Sequence, residues 1–427
     1  MPSHRARRRL FVLQYSLNSV GAIRMRVLVI NAGSSSVKFC LFDVRGQRAG
    51  TSDDMNAEVT GAVSGLNGAP VWRLRRAGSM EQSGSLAGVC HEDAFRWLFD
   101  QLRDEKTDAV GHRVVHGGER FRAPVLMDGA VMSALETLNE LAPLHNPACL
   151  AGIRAARLAL GQQFPMVAVF DTGFHRTMPA AASRYALPGD LARRHSVMRY
   201  GFHGIAHFSM ARQYALHARR EPAGTRLITF QLGNGCSVTA VKGGQSVETS
   251  MGFSPLEGLV MGTRCGDLDP AVVGYLARRE RVDQDHVEQW LNEQSGLLGL
   301  SGLSSDMGVL LRAAAETGHE GAKLAIAVFC HRARKYLGAY LAVLGGADAI
   351  IFGGGIGERA PAIRARICEG FEWCGIRLDH ARNESAITVP SGGLMQIGAD
   401  GAPVQVCVAG VDEEAEIARE TVRCLGS

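Results

Sequence analysis

The feature that most constrains this chain is a short pattern that occurs twice. The apolar run Val27-Leu28-Val29-Ile30 breaks at Asn31-Ala32-Gly33-Ser34-Ser35-Ser36, and beyond Lys38 an apolar stretch, Phe39-Cys40-Leu41-Phe42, returns. About 200 residues later, the span of one domain, the run from Leu227 to Leu232 breaks at Gly233-Asn234-Gly235-Cys236-Ser237 and returns as Val238-Thr239-Ala240-Val241. A strand, a turn of small polar residues and a returning strand bring backbone N–H groups close to a phosphate, and the lysine adds a point charge. This is not a P-loop, because no helix follows and the glycine–lysine spacing differs. One such turn is indistinguishable from an ordinary hairpin. Two of them read as an internal duplication. A third glycine-rich stretch, Gly353-Gly354-Gly355-Ile356-Gly357-Glu358, follows the strand-like Ala349–Phe352 and precedes the helix-like segment 360–367, the layout of an anion or nucleotide site. Two phosphate hairpins and a nucleotide loop in two α/β halves suggest a clamp that closes over a nucleotide.

The rest of the chain alternates in the same way. A hairpin is expected over 25–43, more strand over 59–75, a Gly/Ser-rich turn region near Gly84, a helix over 92–103 and a strand over 109–116. Asn146-Pro147 opens a helix to about Leu160, with Asn146 as N-cap. Met166–Phe170 reads as a short buried strand ending at Asp171, and 413–424 as a last helix. Alternating strands and helices indicate an α/β protein, and 427 residues are too many for one ordinary core. A formal net charge of +4 gives no case for nucleic acid. No apolar run approaches the roughly 20 residues of a membrane span. Ten cysteines without a CxxC pair or a secretory signal read as reduced thiols of a cytoplasmic protein. Residues 1–24 carry five arginines and no acid. They read as a disordered extension or as sequence upstream of a natural start at Met25, with a transit peptide as the rival.

Two arginines stand out as chemistry. Arg113 lies near the end of its strand, before Val114-Val115-His116-Gly117-Gly118, and Arg264 sits in Gly262-Thr263-Arg264-Cys265-Gly266-Asp267. A guanidinium fork at such a place grips carboxylate or phosphate. For Arg264 a local ion pair to Asp267 or Asp269 is an equally good reading. His145 precedes a helix start, where an anion is favoured. His203 lies between two glycines, which leave room for a ligand, although a lone histidine is more often structural. Asp171 ends a buried strand, where α/β ligands bind, or serves the turn beside Thr172-Gly173. Glu413 and Glu414 open the last helix, where for one of the two a favourable dipole position is sufficient reason. No zinc site and no GxSxG elbow are present.

These residues resemble one family. The segments Asn31 to Lys38, Gly111 to Gly118, Phe170 to His175, Arg199 to Gly204, Thr249 to Asp269, Ser301 to Asp306 and Gly355 to Glu358 resemble acetate kinase signatures, in family order from Met25 to the C-terminus. The resemblance implies the duplicated two-lobe, ribonuclease H-like fold of the acetate and sugar kinase/Hsp70/actin group and a homodimer. The lobes would comprise 25–170 with 412–427, and 171–411. It implies reversible transfer from ATP to acetate, giving acetyl phosphate and ADP, with Mg²⁺ or Mn²⁺. Asn31 and Glu413 would help hold the metal. Ser34, Ser36 and Lys38 would line the phosphate side of the first lobe, and Asn234 and Gly235 would form the second hairpin. Asp306, Gly355, Ile356, Gly357 and Glu358, with Arg359 next to them, would hold the adenosine. Arg113 and Arg264 would grip the carboxylate and the moving phosphoryl group. His203, with His145 beside it, would stabilise the transition state. Val115, Leu144, Phe202 and Pro255 would form the methyl pocket.

A carboxylate is already ionised at neutral pH, so Asp171 is read as positioning the metal, its waters or an arginine, and not as a base. The sequence departs from the family pattern at several places, some of them near the nucleotide motifs, while the expected acyl contacts are intact. Gln231 stands for His, Glu248 for Asp, Ile205-Ala206 for Thr-Ser, Gly308 for a frequent Arg, Gly353-Gly354 for Thr-Ala and Arg359 for Asn. Propionate kinase is the nearest rival reading, because one methylene discriminates weakly, although Val115 keeps the pocket small. A pyrophosphate-linked variant, a non-catalytic nucleotide-binding regulator and a sugar kinase are the remaining alternatives. A sugar kinase would require a base.

Overall fold

The structure is a computed structural model that describes residues 23–33, 35–46, 54–66, 68–88, 90–143 and 145–426. Ser34, Leu144 and residues 1–22 of the expected extension lie outside the described residues.

Two sheets repeat one plan. In the first, β1 (Ile23–Ala32), β2 (Ser36–Gly46) and β3 (Asp54–Ser64) form an antiparallel meander, and β6 (Ala109–Val114) and β8 (Met166–Phe170) add in parallel beside β1. The two-residue β7 (Val125–Leu126) closes the far edge antiparallel to β8. In the second, β9 (Arg226–Leu232), β10 (Cys236–Lys242) and β11 (Gln245–Thr249) form the meander. There β12 (Ala349–Gly353) and β14 (Gln405–Ala409) add in parallel, and β13 (Leu394–Gln396) closes the edge. The correspondence runs strand for strand from β3-β2-β1-β6-β8-β7 to β11-β10-β9-β12-β14-β13. The first sheet adds β4 (Val71–Arg76) and β5 (Gln82–Ser85) on the outside. The duplication read from the two turns is therefore a duplication of the whole sheet. This is the two-lobe α/β fold of the acetate and sugar kinase/Hsp70/actin group.

The central strands β6, β8, β12 and β14 are buried almost throughout, as parallel strands covered on both faces must be. The helix Glu413–Gly426 covers one face of the first sheet, where Ile417 and Ala418 pack with Val27, Val29, Val167 and Val169. Gly111 on β6 makes that approach possible, since a Cβ there would come within 2.4 Å of Thr421 Oγ1.

Four local expectations change. The region near Gly84 is strand β5 and not a turn; Gly84 lies under Trp72, whose ring a Cβ would meet at 2.8 Å. Asn146 is inside its helix, with His145 at the N-cap position. Its side chain turns back instead, accepting from His116 N at 3.0 Å and donating to His116 O at 3.1 Å. The glycine-rich turn read over Gly353–Glu358 is instead a short helix, Gly354–Arg359. Finally, β1 takes in Ile23 and Arg24, ahead of Met25, and Arg24 donates to Asp43 at 2.8 Å. Nine of the ten cysteines, all but Cys424, are free thiols, and no helix among the described residues is long and apolar enough to cross a membrane.

Candidate active site

Because β1, β6 and β8 are parallel neighbours, their C-terminal ends open on one edge of the sheet. That edge gathers Asn31, Arg113 and Asp171, and the first residues of the helix Glu413–Gly426 complete the group. Arg113 donates through Nη2 to Asp171 Oδ2 and through Nη1 to Asn31 Oδ1 at 3.2 Å. Its Nε lies 3.7 Å from Glu413 Oε2. Asn31 in turn donates to Glu414 Oε1 at 3.2 Å. Burial alone would disfavour the Arg113 cation, but the Asp171 and Glu413 carboxylates overcome it and hold the guanidinium charged. Burial also pushes the Glu413 carboxyl above its ordinary value, with Arg113 opposing and Asp171 and Glu414 adding to the rise. Both acids that open the last helix thus serve this cluster, where the dipole argument alone would have released one of them.

Three carboxylates, Asp171, Glu413 and Glu414, stand against two cations, Arg113 and Lys38, which leaves negative charge to be neutralised, and Asp171 Oδ1 is buried without a hydrogen-bond partner. Among the described residues no three His, Cys, Asp or Glu side chains form a ready-made metal cage. A Mg²⁺ ion does not need one, since one or two carboxylates with phosphate oxygens and water suffice. The donor set of Asn31, Glu413 and the orphan Asp171 oxygen fits that ion.

The second lobe brings histidine and arginine to the same place. His203 stands at the N-cap of the helix Gly204–Ala218 in the left-handed region, φ 57°. The next residue must be glycine: Gly204 N donates to Asp171 O at 2.8 Å, and a Cβ there would sit 2.2 Å from that oxygen. The helix start is thereby seated on the backbone of Asp171. Across the ring lies Gly235, where a Cβ would be 3.3 Å from His203 Nε2 and 3.5 Å from Arg264 Nη1. The imidazole and Arg264 therefore meet over one residue of the second turn. Arg264 donates to Pro255 O at 3.2 Å and has no ion pair among the described residues. Asp267, the rival partner, is occupied by Arg332 at 3.2 Å and by Tyr336. Burial lowers the pKa of Arg264. The His145 imidazole is pulled down to about 4 by burial and then by Arg264 and Arg113, so it faces both arginines. Burial likewise takes His203 to about 4, leaving it uncharged at neutral pH. Val115 and Phe202 are buried in one apolar cluster, and the Pro255 carbonyl anchors Arg264.

Five of the residues expected to bind nucleotide, Asn234, Asp306, Gly355, Ile356 and Arg359, line a separate cleft of about 370 Å³, with Gly308 at its wall. Gly357 and Glu358 do not line it. Gly357 is buried, and Glu358 accepts from Gly354 N at 3.1 Å and Val411 N at 3.4 Å, which ties the short helix to the chain entering the last one. Asp306 caps the helix Met307–Glu316 by accepting from Val309 N at 2.8 Å. On the first hairpin, Ser36 O closes the turn by accepting from Gly33 N at 2.8 Å. Lys38 lies opposite Asn31 across the β1–β2 register, exposed, in a cleft shared with Asp412 and Glu414.

Sequence reasoning missed His207, Ser237 and Thr229 behind His203. The spacing of His203 and His207, one helical turn, was the available signal.

Two sheets of one plan, each ending a meander in a small polar turn, with fixed charges on one edge and a glycine-lined cleft on the other, define a two-lobed phosphotransferase scaffold. Residues 26–419 match the model of the acetokinase family, and the chain belongs to that family. It is 44% identical to the acetate kinase of Solibacter usitatus over 412 residues, 94% of this chain and 98% of that protein. It is 43% identical to the acetate kinase of Methanosarcina thermophila over 408 residues, 93% of this chain and 96% of that one. Among solved structures, Porphyromonas gingivalis acetate kinase superposes with a TM-score of 0.84 at 36% identity, covering 94% of this chain and 100% of that one. A propionate kinase from Francisella tularensis gives the same TM-score and identity over 93% and 99%.

Proposed function

We propose that this protein is an acetate kinase: it transfers the γ-phosphoryl group of ATP to acetate, reversibly, giving acetyl phosphate and ADP. An acetate oxygen attacks the γ-phosphorus, the bond to the β,γ-bridging oxygen breaks, and ADP leaves with the electron pair. No proton moves, so the protein's work is alignment and charge neutralisation. The observation that carries this reading is the meeting of the Arg113–Asp171 cluster and the His203–Arg264 pair, joined by the Gly204–Asp171 hydrogen bond.

In this reading Arg113 and Arg264 hold the acyl carboxylate and the phosphoryl group, with His145 beside them. Val115, Phe202 and Pro255 limit the methyl pocket. Asn31 and Glu413 hold Mg²⁺, and Asp171 fixes Arg113 and the metal's surroundings. A metal held there would supply positive charge against the transferring phosphoryl group. The cleft at Asn234, Asp306 and Arg359 takes the adenosine. The lobes divide near residue 170, with the last helix returning to the first. The working form is a cytoplasmic homodimer, a state that sedimentation equilibrium tests directly.

The test of the activity is hydroxylamine trapping of acyl phosphate, with acetate, propionate and butyrate each run against ATP, GTP and pyrophosphate. Acetate with ATP is expected to give the highest kcat/KM, with some turnover of propionate. A preference for propionate would move the assignment to propionate kinase, and no product with any pair would overturn it.

A further inference from the structure

His203 and His207 lie one turn apart and reach the same hydroxyl. Ser237 Oγ is 2.8 Å from His203 Nδ1 and 2.7 Å from His207 Nε2. On its other side, His207 Nδ1 is 2.7 Å from Thr229 Oγ1. Thr229 has one further neighbour, the Thr239 carbonyl at 3.5 Å. His207, Ser237 and Thr229 are fully buried. The chain of contacts runs from the reaction side of His203 into the second sheet, and β9–β10 pairing sets its geometry, with Thr229 opposite Thr239 and Gln231 opposite Ser237.

A serine hydroxyl has one hydrogen, so it donates to one ring and accepts from the other. Two patterns satisfy neutral rings. In one, His203 donates from Nδ1 to Ser237, Ser237 donates to His207 Nε2, and His207 donates from Nδ1 to Thr229. The Thr229 hydrogen is then left with the 3.5 Å carbonyl, at the outer limit of a hydrogen bond. His203 would present a bare Nε2 lone pair to the cleft. In the other, Thr229 donates to His207 Nδ1, His207 donates from Nε2 to Ser237, and Ser237 donates to His203 Nδ1. Every hydrogen then spans 2.7 or 2.8 Å, and His203 carries its proton on Nε2. The distances favour the second pattern. Nε2 is also the ring atom that meets Arg264 over Gly235.

We propose that His207, Ser237 and Thr229 are positioning residues that hold His203 as the neutral Nε2–H tautomer, so that it donates a hydrogen bond to the phosphoryl group in flight. The proposal rests on the phosphotransfer reading of the site. It resolves a conflict in that reading: burial keeps His203 uncharged, and an uncharged ring aids an anion only if the correct nitrogen carries the hydrogen. A lone pair at Nε2 would repel the same group.

The test has two arms. In the first, ¹⁵N-histidine spectra are recorded on the full protein with Mg²⁺, ADP, acetate and aluminium fluoride at neutral pH. His203 is expected to be neutral and protonated at Nε2, and to become a tautomer mixture in Ser237→Ala. A cationic His203, or a proton on Nδ1, overturns the proposal. This arm does not depend on turnover, so it fails separately from the assignment of acetate as substrate. The second arm is kinetic. Ser237→Ala is expected to lower kcat roughly 10-fold or more, the usual effect of removing an outer-shell partner, with KM for acetate and ATP nearly unchanged. Ser237→Thr, which keeps the hydroxyl, restores most of it. Thr229→Val lowers kcat less and adds little in the Ser237→Ala background, because both act through one chain. Unchanged kcat in Ser237→Ala, or full additivity of the two changes, would overturn the relay. If Ser237→Ala does not fold, Thr229→Val and the wild-type spectra decide.

Discussion

The two edges that face each other in this molecule grow from the same strand plan and are built by different means. On the first sheet the edge is made of side chains. Arg113, Asp171, Asn31, Glu413 and Glu414 hold one another through a continuous set of hydrogen bonds and ion pairs, with Asp171 only 1% exposed. On the second sheet the cleft draws on glycine backbone beside apolar and polar side chains. Glycines 233, 308 and 355 line it, and its charged members, Asp306 and Arg359, are exposed. A locked set of charges cannot lose one member without stranding the others, whereas a glycine-lined cleft tolerates exchange of the side chains at its rim. Of the departures from the family signatures, Gly308 and Arg359 line this cleft, while Gly353-Gly354, Gln231, Glu248 and Ile205-Ala206 lie outside it, and none is a member of the charged cluster.

The hardest test of that contrast is removal of an arginine. Arg113→Ala is expected to reduce kcat by ~10³-fold or more. It should also cost roughly 3–5 kcal/mol of stability, because it leaves Asp171 as a buried charge without its partner. Arg264→Ala should lose a comparable share of kcat and much less stability, since among the described residues Arg264 has no ion pair to break. Denaturant titration beside steady-state kinetics separates the two. Near-normal turnover in either variant would remove it from the site, and equal destabilisation in both would erase the distinction between a locked and a free arginine.

Buried histidines add a dependence on pH. His116, packed against the Tyr200 ring, and His175, which meets Ser246 of β11, are both buried, and burial takes each down to about 4. Above pH 6.5, the ordinary histidine value, both folded and unfolded chains hold them neutral and they contribute no pH dependence. As the pH falls from 6.5 toward 4, the unfolded chain binds protons that the native one refuses. Stability therefore drops across that window, by up to roughly 3 kcal/mol per histidine at its acid end. Melting temperature against pH checks this, and His175→Gln should flatten part of the fall. A wild-type stability constant from pH 7 to pH 4.5 would contradict it.

Much of this was legible in the chain. Asn31, Arg113, Asp171 and Glu413 each follow or end a pattern that sequence alone marks, so their convergence follows once the parallel order of β1, β6 and β8 is known. What was not legible depends on pairing between distant strands. Thr229 and Ser237 are ordinary residues of two strands, and only the β9–β10 register and the helix laid over it bring them to His207. Glycine-rich composition misled in both directions. It hid the strand at Gln82–Ser85, whose partner is the Trp72 face, and it suggested a turn over Gly353–Glu358 where Glu358 pins the chain into a short helix. Asn146 looked like a cap because its sequence position fits one, but the buried backbone of His116 needed its amide more.

On the cleft side the expected effects are smaller and fall on KM. Arg359→Ala should raise KM for ATP about 5-fold, on the order of 1 kcal/mol as for a single exposed charge contact, with KM for acetate unchanged. Equal ATP affinity in wild type and variant would count against Arg359 as a substitute for the absent arginine at Gly308.

Asp306 gives the finest discrimination, because it has a structural role that competes with a nucleotide role. Its carboxylate accepts from Val309 N and caps the helix Met307–Glu316, a contact worth about 1 kcal/mol. Asp306→Ala removes the cap and any nucleotide contact together, so alone it proves nothing. Asp306→Asn keeps the cap, since asparagine serves that position as well as aspartate. If Asp306 contacts the adenosine through its charge, Asp306→Asn should keep the wild-type melting temperature and still raise KM for ATP by a few-fold. If the cleft recognises nucleotide through backbone alone, Asp306→Asn should match wild type in both, and only Asp306→Ala should lose stability. The second outcome would sharpen the division between the two edges, and the first would place one essential side chain on the glycine-lined side.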